Sequence, residues 1–491
     1  MLRATCFFYG RNISMSFTIS SLLFLTAGLF LFYIIKPSLR VHILCAVSLF
    51  YIWRLSVSAC ITVIVTTAIV YFMAQLISNN RSDNPRLPKT ICTLGCILCI
   101  LSLCVYKYAS KMVPGDGVWG PFSKIVIPIG FSYYIFQSIG FLVETYKEKF
   151  KEFPKLSEFL LYQIFFAKFL SGPIERMERF QTSLKKISEI RFLDEERLSL
   201  SFSYIIYGYF MKLMIADRLA SYTPFFLEHP STHESWSLVV GSLMYTVQIY
   251  ADFAGYSSIA LGIASLFGIK LTQNFRAPYL AESMSDFWRR WHISLSSWLK
   301  DHIYIPLGGN RKGSFRKYLN TFIVFVVCGL WHGNGMNFLV WGMMHGIFSV
   351  VDVMLDKTGI WKNKVCAVMR RIFVFCSVSF AWIFFGSGSF SSAITFLKYM
   401  ILGTGNNTTI EAELTLIETT MVQIVILLIS IAVMIVFDIL IKKKNMDFGE
   451  ILAQLPLGAR LFSFYVMIMV ILVFGAYGPS TDITGFMYMQ F

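Results

Sequence analysis

Apolar runs of about 17 to 25 residues, the length that crosses a hydrocarbon core, recur along the chain with short polar interruptions. They fall near 17–35, 43–77 (long enough for two), 90–106, 125–143, 198–221, 237–268, 318–333, 336–354, 372–401, 419–441 and 461–478. This pattern predicts an all-α polytopic membrane protein with about 11 transmembrane helices, and short re-entrant or interfacial helices between them. The 17–35 run is too long for a signal-peptide core and passes straight into Lys36-Pro37, so it reads as a retained helix. Met15 is a candidate start, and 1–14 reads as a non-native or disordered N-terminal extension. No long linker, low-complexity tract or internal repeat interrupts the chain, so 1–491 is expected to form a single membrane domain. The largest polar insert, 173–197, reads as short amphipathic helices lying on the membrane surface.

Composition agrees with the pattern and narrows it. The chain is 56% hydrophobic and 14% charged, whereas soluble domains are about a quarter charged. The net charge of +15 does not point to nucleic acid, because the basic residues gather in short loops between apolar runs, as the positive-inside rule describes. Arg289, Arg290, Lys300, Arg311, Lys312, Arg316 and Lys317 mark one cytoplasmic stretch; Lys357, Lys362, Lys364, Arg370 and Arg371 mark a second, and Lys442–Lys444 a third. The loops 224–236 and 402–418 carry acids and no Lys or Arg, so both should face outward. Segments 144–158 and 175–197 mix both signs and give no orientation. Cysteines such as Cys92, Cys96, Cys99 and Cys104 lie within apolar runs and read as buried thiols; with no zinc-type ligand spacing, no metal site is expected.

Two histidines stand out against this apolar background. In 285–299 the residues Trp288, Trp291, His292, Leu295 and Trp298 share one face of a predicted helix with Arg289 and Arg290 opposite, and Ser285 is a candidate N-cap. Such a helix suits the membrane boundary and places His292 near the cytoplasmic interface. His332 ends the run LNTFIVFVVCGLW, and Gly333, Gly335 and Asn337 signal a turn deeper in the membrane or toward the outside. Imidazole takes and returns a proton near neutral pH, so His332 is a candidate general base beside Trp331, with Asn334 and Asn337 as candidate oxyanion donors. On spacing alone each histidine also fits a hydrogen-bonded structural role. His302 and His345 rank lower, and His229 and His233 read as solvated residues of an external loop. Gly308-Gly309-Asn310-Arg311-Lys312-Gly313 is a basic glycine-rich turn, suited either to a donor's phosphates or simply to setting topology.

PIGFSYYIFQSIGFLVETY (128–146), FAKFLSGPIERMERF (166–180), QIYADFAGYSSIALGIASLFGIKLTQNFRAPYLAESMSDFWRRWHISLSSWLKDHIYIPLGGNR (248–311), GLWHG (329–333), SFAWIFFGS (379–387) and GFMYMQF (485–491) together resemble the membrane-bound O-acyltransferases, in their alginate O-acetylase branch. The resemblance implies a helical funnel from the outer face, a narrow cytoplasmic route, and catalysis at His332 with His292 as the second signature position. It further implies acetyl-CoA as donor substrate with no bound cofactor, and a bacterial inner-membrane location. A periplasmic or surface SGNH-type partner and a polysaccharide acceptor, alginate or another exopolysaccharide, would complete the transfer. Trp288, Trp291, Trp331, Asn334, Asn337, Arg311 and Lys312 are then the candidate substrate-binding residues. The alternatives are D-alanyl transfer from a carrier protein toward teichoic acid, and a polysaccharide or solute transporter.

Overall fold

A computed structural model describes residues 19–80, 86–112, 127–404, 409, 412–413, 415 and 419–477. The 1–14 extension and the closing GFMYMQF lie outside the described residues. Among them the chain is helical, without strands. Among the described residues nine helices are long and apolar enough to cross a membrane, and Ser20–Ile34 and Phe390–Leu402 are shorter apolar helices. The chain is a polytopic all-α membrane protein. A helix satisfies its backbone amides internally where no water is available, which is why continuous apolar sequence folds this way.

The chain divides into two compact units, 1–201 with 260–272, and 202–259 with 273–491. The first holds α1 (Ile19–Ile34), α2 (Arg40–Leu55), α3 (Val57–Asn79), α4 (Arg86–Met112), α5 (Phe131–Tyr146), α6 (Leu156–Ile164) and α7 (Met177–Lys185). Its polar insert is anchored rather than floating. Arg40 donates to the carbonyls of Ile187 (2.9 Å) and Ile190 (2.8 Å), and Glu175 accepts from the backbone N–H and the hydroxyl of Thr272.

Two long elements, α8 (Glu195–Tyr209) and α11 (Ser235–Leu266), run from one unit's residues into the other's. Between them lie a π-helical stretch, Phe210–Ala216, then α9 (Asp217–Ala220) and α10 (Thr223–Glu228). The second unit continues with α12 (Met284–Arg290), α13 (Ile293–Leu299), α14 (Gly313–His332), α15 (Met336–Thr358), α16 (Lys364–Gly386), α17 (Phe390–Leu402), α18 (Met421–Lys444), α19 (Phe448–Ala453) and α20 (Leu457–Phe474). The 372–401 run is therefore two helices, broken at Ser387–Ser389, where Ser389 caps α17 through the N–H of Ser392.

Charge marks the two ends of the second unit. At one end Glu282 accepts from Lys442 (2.8 Å) and Arg371 (2.7 Å), and Arg370 pairs with Asp352 and Asp356, both at 2.7 Å. The Lys442 ammonium beside Glu282 holds its carboxyl below the usual carboxylate range. These are the loops read as cytoplasmic. At the other end the two acidic loops meet: His233 Nδ1 lies 2.7 Å from Glu413 Oε2, and Thr404 donates to Glu234 at 2.8 Å. His233 is consequently buried rather than solvated, because a carboxylate brought from 180 residues away receives its ring.

Helices α14 and α15 form an antiparallel hairpin whose backbones touch. A methyl group on Gly329 would lie 2.4 Å from the Phe338 carbonyl oxygen, and one on Gly342 2.4 Å from the Phe325 oxygen. Small residues permit such an approach between membrane helices, where dispersion contacts replace the hydrophobic effect as the source of association. Within the same unit Lys212, in the π-helical stretch, sits 2.7 Å from both Asp217 and Asp252, all three buried.

Two pairs of variants test these contacts. Gly342→Val should lower the thermal midpoint of the detergent-solubilised protein, at the upper end of the ~1–3 kcal/mol range for overpacking. Gly388→Ala, whose methyl meets nothing within 4 Å, should leave it unchanged. Lys212→Met strands two buried carboxylates and should cost about 3–5 kcal/mol. The triple variant Lys212→Met/Asp217→Asn/Asp252→Asn should be the more stable of the two in the same assay.

Candidate active site

His332 is the last residue of α14, held where the hairpin turns. Gly333 leaves the helix in extended backbone, and Asn337 donates its amide to the carbonyls of Phe384 (3.2 Å) and Ser387 (3.0 Å), tying the turn to the end of α16. Gly386 packs against the ring of Tyr245, ten residues into α11. At 1.5 Å per residue this level is about 15 Å along α11 from its N-terminal end at Ser235. The His332 turn is thus inside the protein, below the acidic loops, as its polar backbone requires.

His292 is not where helical periodicity puts it. The predicted continuous helix 285–299 is two seven-residue helices, α12 and α13, and His292 occupies the break with left-handed backbone (φ 43°, ψ 54°). The N-cap of α12 is Ser283, accepting from the Asp286 N–H at 3.0 Å, rather than Ser285. The break turns the segment inward. The His292 ring meets Phe253 edge-on at 4.8 Å, a position about 27 Å along α11 from Ser235. His292 is 1% exposed, enclosed by the second unit's own side chains. Burial pushes its imidazole down to about 3, toward the neutral form.

Both histidines pack against one indole. The Trp331 ring centroid lies 6.3 Å from His292 and 4.8 Å from His332. His332 then meets Trp341 (5.1 Å) and Phe385 (5.2 Å), and Trp341 meets His345 (4.8 Å), a file of alternating imidazole and indole. Of the other sequence candidates, Trp288 joins this cluster through His345 and Phe325, each at 5.0 Å. Trp291 is buried one layer away against Trp382 (4.9 Å) and Phe275 (5.0 Å). Asn337 directs its amide hydrogens to α16, and Asn334 is exposed at the turn. Arg311 and Lys312 are exposed on a turn whose Gly308, Gly309 and Gly313 all adopt positive φ. That turn lies at the basic end, where its neighbour Ser314 is held by Lys357, and not beside the two histidines.

Phe253, Trp341, His345 and Phe385 are wall residues that periodicity does not single out. Phe253 and Phe385 do lie in the segments that carry the family resemblance, but nothing local distinguishes them from ordinary core aromatics. An aromatic cluster that buries both His292 and His332 suits proton transfer to and from a hydroxyl or thiol, since burial strengthens every electrostatic contact inside it.

Several known proteins have similar sequences. A probable alginate O-acetylase AlgI of Azotobacter vinelandii is 31% identical over 358 residues, 71% of this chain and 69% of that protein. The probable alginate O-acetylase AlgI of Pseudomonas putida is 35% identical over 267 residues, 54% of this chain, which spans about half (53%) of that relative's length. A peptidoglycan O-acetyltransferase of Helicobacter pylori is 32% identical over 337 residues, covering 63% of this chain and 64% of the relative. The sequence model of the membrane-bound O-acyltransferase family matches residues 41–389, through both halves of the histidine chamber, and the chain belongs to that family.

Proposed function

We propose that the chain is an O-acyltransferase of the bacterial inner membrane that takes an acetyl group from cytoplasmic acetyl-CoA and passes it toward hydroxyls of a polysaccharide outside the membrane. The observation that carries this reading is the chamber itself: two buried histidines on one indole, between a basic end and an acidic end, in a member of this family. Donor phosphates would meet Arg311 and Lys312 of the glycine-rich turn. In the chamber His332 would accept the proton of the attacking hydroxyl as its oxygen bonds to the thioester carbonyl carbon. Collapse of the tetrahedral intermediate breaks the C–S bond, and the departing sulfur takes the proton back from His332. An oxygen ester and free coenzyme A result, with no net proton left on the protein. His292, neutral and at the other edge of Trp331, would orient donor or acceptor. The attacking hydroxyl would belong to an SGNH-type protein outside, whose ester a polymer hydroxyl would then cleave, taking the acetyl group and restoring the protein's own hydroxyl.

D-alanyl transfer is the second reading, favoured by the teichoic acid D-alanyltransferase of Bacillus subtilis, 27% identical over 259 residues. The exposed, basic donor turn is compatible with an acidic carrier protein as well as with coenzyme A. Proteoliposomes separate the two: release of free coenzyme A from acetyl-CoA, dependent on deacetylated surface polysaccharide of the host, supports acetyl transfer, whereas turnover only with a D-alanyl carrier protein replaces it.

Removal of the base should cost at least about a hundredfold. Cells carrying His332→Ala should lose base-labile acetate from their surface polysaccharide while the variant inserts and purifies as a monodisperse protein; unchanged acetate would sink the proposal. Arg311→Ala/Lys312→Ala should raise KM for acetyl-CoA several-fold with kcat nearly unchanged, the signature of lost uniform binding, and added salt should shrink the difference between variant and wild type.

A further inference from the structure

We infer that Asn274 is the positioning residue of His292, acting as a helix cap delivered from elsewhere in the chain so that the cap position itself is free to hold an imidazole. The first amides of a helix have no partner within it, and the residue at the N-cap normally supplies one with a short polar side chain. At α13 that position is His292, which makes no side-chain capping bond. Asn274 does the work instead: its carbonyl oxygen accepts from Ile293 N–H at 3.0 Å and its Oδ1 from Ser294 N–H at 3.2 Å. Just beside it the N–H of Arg276 donates to the carbonyl of Arg290 at 3.0 Å, so 274–276 splints both sides of the break between α12 and α13.

The cap is itself anchored. Asn274 is 0% exposed, and its Nδ2 donates to Ser257 Oγ at 3.3 Å, one turn along α11 from the Phe253 ring that packs on His292. Left-handed backbone at a non-glycine residue persists only where its surroundings over-determine it. Here they do so from both sides: the splint fixes the backbone of His292, and Phe253 and Trp331 fix its ring. Loss of the Asn274 carboxamide frees the Ser294 N–H and lets the break relax toward the continuous helix that the sequence favours, which swings the imidazole away from Trp331.

The activity arm of the test rests on the acyl-transfer reading. In proteoliposomes given acetyl-CoA and deacetylated host polysaccharide, Asn274→Ala should lower kcat by about a hundredfold, the scale of an ångström-sized misplacement, with KM for acetyl-CoA within about twofold. Asn274→Asp, which keeps an oxygen for Ser294 N–H, should recover most of the rate. The double variant Asn274→Ala/His292→Ala should be no slower than His292→Ala alone, because one acts through the other. Multiplying losses in the double variant, or an Asp variant as slow as Ala, overturns the proposal. If Asn274→Ala does not fold, Ser257→Ala removes only the anchor and should show a smaller loss with the same dependence on His292; a loss independent of His292 overturns it equally. Amide exchange decides independently of any activity. In Asn274→Ala, or in Ser257→Ala if that is the variant that folds, a peptide covering 292–299 should lose protection while 322–345 keeps its own. Retained protection at Ser294 refutes the cap even if the wild type proves to transfer nothing.

Discussion

The contact between the backbones of α14 and α15 fixes the geometry on which the chamber depends. Gly329 and Gly342 bring the two helices so close that neither tolerates even a methyl group without displacing a main-chain oxygen. Trp331 and His332 follow Gly329 within one turn, and their placement is therefore set by it; one residue before Gly342 comes Trp341, which meets the His332 ring. A looser hairpin would move the indole and imidazole of one helix relative to the indole of the other. The clasp of Asn337 on α16 then removes the remaining freedom of the turn, and brings Phe385 against His332.

A related constraint governs polar groups elsewhere in the second unit. Buried charges are costly unless paired, and here they come in compact groups: Lys212 between Asp217 and Asp252, and Asp352 against Arg370 with the N–H of Met284 completing its shell. Asp438 accepts from Tyr250 at 2.8 Å, and the Tyr250 ring in turn packs toward Trp291. The aromatic wall and the polar clusters are thus parts of one packed interior. Among the described residues the histidine file is the place where imidazoles meet mainly rings.

Much of this was legible because it depends on local sequence. Spans follow from apolar length, the two ends from where Lys and Arg or Asp and Glu collect, and the His332 turn from glycines that end an apolar run. What was not legible depends on partners distant in sequence. The periodicity of 285–299 fits an unbroken helix, since Trp288, Trp291, His292 and Leu295 do share a face; the partners of the Ile293 and Ser294 N–H groups at the break come from Asn274, eighteen residues upstream of His292. His233 looks solvated until Glu413 arrives from another loop. The 318–333 run belongs to α14, which is not among the nine membrane-length apolar helices, because its first turns carry Arg316, Lys317 and Asn320.

The break at His292 also explains why two histidines with such different sequence settings share one tryptophan. An amphipathic helix continuing through 292 would keep its aromatic face parallel to the membrane surface, leaving His292 near the basic end, far from a turn held about 15 Å from the opposite end of α11. Interrupting it after α12 sends the chain inward to the level of Phe253, and α13 begins there with its amides already satisfied by Asn274. His332 arrives from the other direction, carried to the end of a 20-residue helix that starts at the basic end. One histidine is therefore delivered by stopping a helix early and the other by ending a helix on a glycine turn. Trp331 is the surface on which the two routes meet. Two histidines carried by different helices need such a shared surface to be brought together, and an unbroken helix through 292 would not provide it.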